Sequence, residues 1–193
     1  MKIMFILLIA FSTITWGHQP VKTNLEDNFT SDSPYIINEP QISKAIFSEL
    51  TGSDHFYQIQ SNEPFDFYTG ITQAKPDGCS LERTFSFQIL DENLQEMSSY
   101  SGEDFEWWSW YESFGKKWYW VGPETGEEFL STDVYPAGIY YIRVFNDENS
   151  GKYVLAVGDD ERFTIGVIAR TIAILPGINR EHWGKPSKIC QSQ

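Results

Sequence analysis

The sequence is poor in the residues on which most active sites are built. It has three histidines and two cysteines in 193 residues. His18, His55 and His182 have no ligand-spaced partners, and no metal site is expected. No Gly-x-Ser-x-Gly elbow, His-Glu-x-x-His pair, phosphate loop or Gly-x-Gly-x-x-Gly turn occurs. Ser80 has no adjacent base and is not an activated nucleophile. These absences exclude the chemistries that short motifs announce. Positive charge is also scarce. Fourteen Lys and Arg stand against 27 Asp and Glu, a net charge of −13. That excludes a nucleic-acid footprint and argues against adhesion to anionic lipid. It is compatible with divalent cations and with a solvated acidic surface. Long apolar runs are missing as well. The one present, Ile3–Phe11, has nine residues, far short of the ~20 that span a bilayer.

That run has the shape of a leader. Lys2 supplies a positive start, and Thr15-Trp16-Gly17 places small residues at −3 and −1 of a cleavage point. Residues 1–17 are therefore expected to be a signal peptide cut after Gly17, leaving no transmembrane span. Its removal takes one Lys and no acid, so −13 becomes −14. The remainder would be exported, to a periplasmic or extracellular space. Cleavage would leave His18 at the new terminus, where amine and imidazole together can hold copper, but no matching ligands stand nearby. In an oxidising compartment Cys79 and Cys190 are expected to pair as a disulfide. Closing a loop of roughly 110 residues would contribute about 4–5 kcal/mol in the chain-entropy model.

Most of the chain reads as short strands. Residues 18–40 are polar and aperiodic, a linker or loose arm. Gln41–Leu50 fits a short helix or a strand. Phe56–Gln60 alternates, with Tyr57 and Ile59 on one face. Phe65–Ile71 is an aromatic strand. Thr84–Leu90 alternates through Phe85, Phe87 and Ile89, and Leu94–Tyr100 and Glu127–Thr132 are weaker strands. Ile139–Phe145 and Lys152–Val157 flank the turn Asn146–Gly151 and read as a hairpin. After Gly158 the period lengthens. Phe163, Val167, Ile168, Ile172 and Leu175 define a helix entered through Asp159-Asp160-Glu161 and ended by Pro176-Gly177. It reads as a cap on one open end of the sandwich. Its other reading, a helix lying on a membrane, has only Arg162 and Arg170 as cations. The expected fold is an antiparallel jelly-roll-like β-sandwich over 41–158, with a C-terminal amphipathic helix and tail over 159–193.

One segment stands apart. Phe105–Trp120 reads F-E-W-W-S-W-Y-E-S-F-G-K-K-W-Y-W and holds five of the seven tryptophans. As a strand it places Trp108, Trp110 and Glu112 on one face and Trp107, Ser109 and Tyr111 on the other. Gly115-Lys116-Lys117 is a turn, and Trp118-Tyr119-Trp120 a returning strand. One face can be core and the other a platform on which flat sugar rings stack, with carboxylates bonding hydroxyls. Trp107, Trp108, Trp110, Tyr111, Glu112, Trp118 and Trp120 are the candidate ligand-binding residues. The plainer reading makes all of these aromatics core and rim.

A-G-I-Y-Y-I-R-V followed by N-S-G-K-Y-V-L-A-V-G resembles the bacterial pre-peptidase C-terminal domain and its uncharacterised exported relatives. Ser43–Leu50 with Asp54–Ile59, and Glu112–Gly115 with Tyr119–Glu124, extend the resemblance to roughly Ile42–Phe163. It implies a secreted β-sandwich with a non-catalytic accessory role in binding or secretion. Relatives carry a calcium-linked Asp-x-Asp-aromatic-aromatic motif. Here Ser53 and His55 stand where that motif has its acids, around Asp54 and before Phe56 and Tyr57, so the motif is degraded. No cofactor is expected, with calcium the one alternative that the resemblance leaves open.

Three readings follow. The first is a non-enzymatic exported module binding a polysaccharide or another envelope protein. The second is a small glycoside hydrolase using paired carboxylates, with Glu103, Asp104, Glu106 and Glu112 the first to test. The third is a structural envelope-associated protein. No catalytic residue is assigned.

Overall fold

Thirteen short strands and one helix make up the computed structural model, which describes residues 17–24, 27–77, 79–113 and 115–184. Residues 1–16 of the expected leader, and Cys190, lie outside these residues. The strands are β1 (Gln19–Lys22), β2 (Tyr35–Ile37), β3 (Lys44–Thr51), β4 (His55–Ser61), β5 (Phe65–Phe67), β6 (Thr69–Ala74), β7 (Ser86–Leu90), β8 (Glu96–Tyr100), β9 (Trp108–Glu112), β10 (Lys117–Glu124), β11 (Asp133–Tyr135), β12 (Gly138–Phe145) and β13 (Ser150–Val157). The helix α1 spans Ile165–His182.

Two sheets face each other. One is ordered β1-β3-β13-β6-β10-β9 and the other β2-β4-β12-β7-β8; β5 and β11 form a small ribbon. Setting aside the edge strands β1, β2 and β9, the chain enters at β3 and β4 and leaves at β12 and β13. Its first and last strands lie side by side, β3 with β13 and β4 with β12. This is the jelly-roll wrap, and the all-β sandwich with a C-terminal helix is as expected. Alternation sets the core. His55, Tyr57 and Ile59 of β4, Ile142 and Val144 of β12, and Tyr153, Leu155 and Val157 of β13 are buried between the sheets.

The strands flanking Asn146–Gly151 do form, but they are not a hairpin. β12 pairs with β4 and β7, and β13 pairs with β3 and β6. Each is already flanked on both sides, so neither has an edge for the other. The connector instead crosses from one sheet to the other. Asn146 substitutes for the missing ladder bonds: its Oδ1 accepts from Ser150 N at 3.1 Å and its Nδ2 donates to Ser150 O at 2.9 Å. Gly151 adopts φ +107 where the chain turns into β13.

Other expectations are corrected. Residues 18–40 are not a loose arm. They supply β1 and β2, which add parallel edges to β3 and β4. Gln41–Leu50 resolves as a strand. Phe65–Ile71 splits into β5 and β6. Glu127–Thr132 is a tight loop with a Glu127–Leu130 bridge and positive φ at Glu128 and Phe129, and the strand follows at β11. The helix begins later, capped by Thr164 Oγ1 accepting from Val167 N. It also runs through Pro176. Pro176 is exposed, so water can serve the carbonyl that its missing N–H leaves unpaired. Nor does α1 close an end of the sandwich. Ile174, Ile178 and the adjoining Trp183 pack with Phe47, Val154 and Tyr119 on the outer face of the six-stranded sheet.

Candidate functional site

The aromatic segment folds as the β9–β10 hairpin, and Lys117 to Val121 pair with Glu112 to Trp108. Only β10 is shared with the rest of the sheet, through β6. The hairpin therefore carries aromatics on both faces of a sheet edge. Register sorts them: Trp108, Trp110 and Glu112 share a face with Tyr119, and Ser109 and Tyr111 share the other with Trp118 and Trp120.

The first face turns toward α1. Trp110 lies 6.0 Å from Tyr119 and 4.9 Å from Phe129 between ring centroids, and Tyr119 lies 5.0 Å from Trp183. Together with Phe47 and Ile178 these rings line a cavity of about 110 Å³. Burial pushes the Tyr119 phenol upward, with the Glu112 charge adding to it. The Glu124 carboxyl is raised by burial against hydrogen bonds from Tyr68 Oη (2.8 Å) and Phe129 N (3.2 Å). Those bonds hold the 125–131 loop so that Phe129 reaches Trp110. Phe129 carries no periodic signal, because loop geometry rather than strand alternation places it.

The second face is open. Tyr111 and Trp118 are neighbours across the strands, their centroids 5.1 Å apart, and are 44% and 42% exposed. Trp120 is half-buried beside them, with Lys75 Nζ 4.1 Å from its ring centroid and 5.7 Å from that of Trp118. Lys75 N donates to Trp118 O at 2.9 Å, which carries the β6–β10 pairing one step further and brings Lys75 to this face. Sequence reasoning missed Lys75, since only the strand register shows it. The Trp120 indole N–H is buried with no acceptor among the described residues.

Trp107 belongs to neither surface. It packs against the sandwich core, its Nε1 donating to Gly102 O at 2.7 Å. Its ring lies so close to Gly122 that a Cβ there would stand 2.3 Å from it. Trp107 is a structural residue, and its place among the ligand-binding candidates is corrected. Trp108 is exposed on the helix-side face, against Phe129 at 6.1 Å.

The carboxylates do not assemble as expected. Glu103, Asp104 and Glu106 are exposed ahead of β9. Glu112 instead lines a recess of about 50 Å³ with Asp159, Glu161, His18 and Trp110. All three acids are engaged. Glu112 accepts from Gly115 N at 2.5 Å, Glu161 from Gly17 N at 2.6 Å, and Asp159 from Ser131 N and Oγ at 2.7 and 2.6 Å. The recess has room for a few waters rather than a sugar ring. His18 Nδ1 contacts Ser43 Oγ, and burial pulls its pKa down to about 4.

The positions aligned with the calcium-linked motif are likewise occupied. Asp54 binds Arg143 Nε at 2.5 Å and Asn149 Nδ2 at 2.9 Å, and Ser53 Oγ donates to Asn28 Oδ1 at 2.8 Å. His55 is buried between the sheets, its Nδ1 2.8 Å from Tyr153 Oη. Among the described residues no three His, Cys, Asp or Glu converge as a metal-binding group. Among them, too, no helix is long and apolar enough to cross a membrane.

No family model matches the chain, and no curated protein matches it. Among solved structures it is similar to the catalytic domain of a GH87 alpha-1,3-glucanase in complex with nigerose, at 11% identity and a TM-score of 0.31. Two variants of that domain, also with nigerose, give the same figures. The similarity covers 60% of this chain and 22% of the glucanase chain.

Proposed function

We propose that this chain is an exported, non-catalytic binding module whose ligand stacks on Tyr111 and Trp118. The supporting observation is the pair itself: two large rings, adjacent across strands, exposed on the open face of a sheet edge beside a cation. Rings of this kind suit a ligand that is flat and apolar on one side and hydroxylated on the other, which describes a glycan. Lys75 adds a donor above the Trp120 ring, and the buried indole N–H of Trp120 adds another that a small side-chain shift would offer to a sugar oxygen. On this reading Trp108, Trp110 and Glu112 shape the hairpin's other face and do not touch the ligand.

Tryptophan fluorescence across a panel of polysaccharides tests this. A bound glycan shifts the emission, and Trp118→Ala weakens its binding by roughly thirtyfold, the loss of about 2 kcal/mol typical of a hot-spot ring. Trp108→Ala leaves it unchanged. Emission that no polysaccharide alters removes the glycan, and equal losses from Trp108→Ala and Trp118→Ala remove the site.

Export also carries the expectation that Cys79 and Cys190 pair. Cys79 is buried within the loop that follows β6. Thiol titration of the unfolded, unreduced protein should return no reactive thiol, and reduction should cost about 4–5 kcal/mol of stability. Two reactive thiols before reduction would refute the pairing.

A further inference from the structure

We infer that the outer face of α1 docks on an anionic lipid surface. Its inner face is the one already described, around Ile174 and Ile178. The opposite face carries Ile165, Ile168, Ala169, Ile172, Ala173 and Pro176 at three- and four-residue spacing, and all six are exposed. Ile165, Ile168 and Ile172 are 87%, 47% and 67% exposed. An isolated exposed isoleucine is ordinary, but a continuous apolar stripe along a helix is not. The helix is apolar on two opposite sides, and the sheet covers only one.

The charge around the stripe points to its occupant. The chain carries −13, yet Glu181 is the one acid within α1, and Lys22 Nζ engages it at 2.7 Å. Arg170 and Arg180 border the stripe and have no ion pair among the described residues. On the Arg170 side, Lys44 and Arg170 line one groove between the helix and the β1–β2 edge, together with Glu39 and two cations already paired. Those are Lys22 with Glu181 and Arg162 with Asp160, each at 2.7 Å. Among the described residues, the free positive charge beside the stripe is therefore that of Arg170, Arg180 and Lys44. Lys44 there is partly desolvated, which lowers its pKa to about 8 against the opposing pull of Glu39. An apolar stripe with a cationic rim matches the acyl boundary and headgroups of an anionic bilayer. A second copy of this chain does not match, because like-charged rims would meet. The acidic remainder of the surface does not oppose docking strongly, since charges beyond about 8–10 Å are screened at physiological salt.

The test is sedimentation of the full chain with vesicles of phosphatidylglycerol in phosphatidylcholine, or of phosphatidylcholine alone. The apolar leader, where retained, is common to every variant, so differences between variants report on the helix. Ile168→Glu/Ile172→Glu should lower partition to the anionic vesicles at least about tenfold, from lost apolar burial. Arg170→Gln should lower it about fivefold on the anionic vesicles and leave partition to phosphatidylcholine alone unchanged. Both positions are exposed, so circular dichroism and the urea midpoint should stay as in the parent. Partition that is equal in parent and double variant overturns the inference. So does a lipid-free dimer that the double variant dissociates while vesicle partition is unmoved.

Discussion

Trp107→Ala is expected to lower the free energy of unfolding by about 3–5 kcal/mol, the usual cost of deleting a large packed aromatic. Trp118→Ala, a few residues away in the same hairpin, is expected to stay within about 1 kcal/mol. Both are tryptophans of one aromatic run, so composition does not separate them. Packing does. Trp107 is wedged between the core and Gly122, with its indole N–H held by Gly102 O. Removing it opens a cavity and leaves that carbonyl unpaired. Trp118 already faces solvent on one side. Urea midpoints at unchanged m-value check this. The Gly122 contact supplies a second arm. Gly122→Ala alone should cost about 1–3 kcal/mol, because a Cβ 2.3 Å from the ring displaces it. In the Trp107→Ala background the same change should cost far less, since its obstacle has gone. Equal losses from Trp107→Ala and Trp118→Ala would overturn this division.

Stability is expected to fall steeply as pH drops from about 6.5 toward 4. His55 and His182 are buried, and desolvation pulls both from 6.5 to about 4. For His182 the cations Lys152 and Lys22 push the same way, and Glu181 opposes them. For His55 the opposition comes from Asp54 and Asp27. The folded pKa is the lower one, so between the two values the unfolded chain binds more protons. The stabilisation is complete above the unfolded value near 6.5 and disappears as pH falls through the folded value near 4. A shift of this size is worth about 3 kcal/mol per histidine at the acid end. Urea unfolding at several pH values measures the slope. His182→Leu should flatten it by about one proton, because that ring packs edge-on against Phe47 and its Nδ1 has no partner among the described residues. A slope unchanged by His182→Leu would show that other groups carry the acid sensitivity.

Much of the fold is legible in the sequence because alternation reports burial directly. β4, β7, β12 and β13 fall where Tyr57 and Ile59, Phe87 and Ile89, Ile142 and Val144, and Leu155 and Val157 place them. Pairing is not legible in that way. The pattern around Asn146–Gly151 is the same whether the strands pair with each other or with strands far away, and here the far partners win. β1 is not legible because a polar edge strand carries little alternation, as Gln19-Pro20-Val21-Lys22 illustrates, and β2, Tyr35-Ile36-Ile37, is too short to show a period. The helix end is not legible from Pro176, because α1 runs through it where the residue is exposed and water can serve the carbonyl left unpaired. At the site, the two-face division of β9 followed from its period of two. The separation of Trp107 from that strand, the reach of Phe129 and the arrival of Lys75 came from loops and register. None of these has a period to read.

The side-by-side placement of β3 and β13 also governs how fast the molecule can form. Val154 pairs with Phe47, roughly a hundred positions away in sequence, so the centre of the larger sheet closes only when nearly the whole strand-forming chain is present. Folding dominated by such distant pairings runs on millisecond-to-second timescales. Until β13 arrives, β3 and β6 each present an unpaired edge, and the aromatic hairpin hangs from β6 alone. A ribosome or a translocation pore therefore releases a chain with exposed strand edges, whose worst exposure ends only as residues 150–157 emerge. Chaperone binding during that interval should concentrate on these edges, and truncations that stop short of β13 should aggregate rather than fold partially.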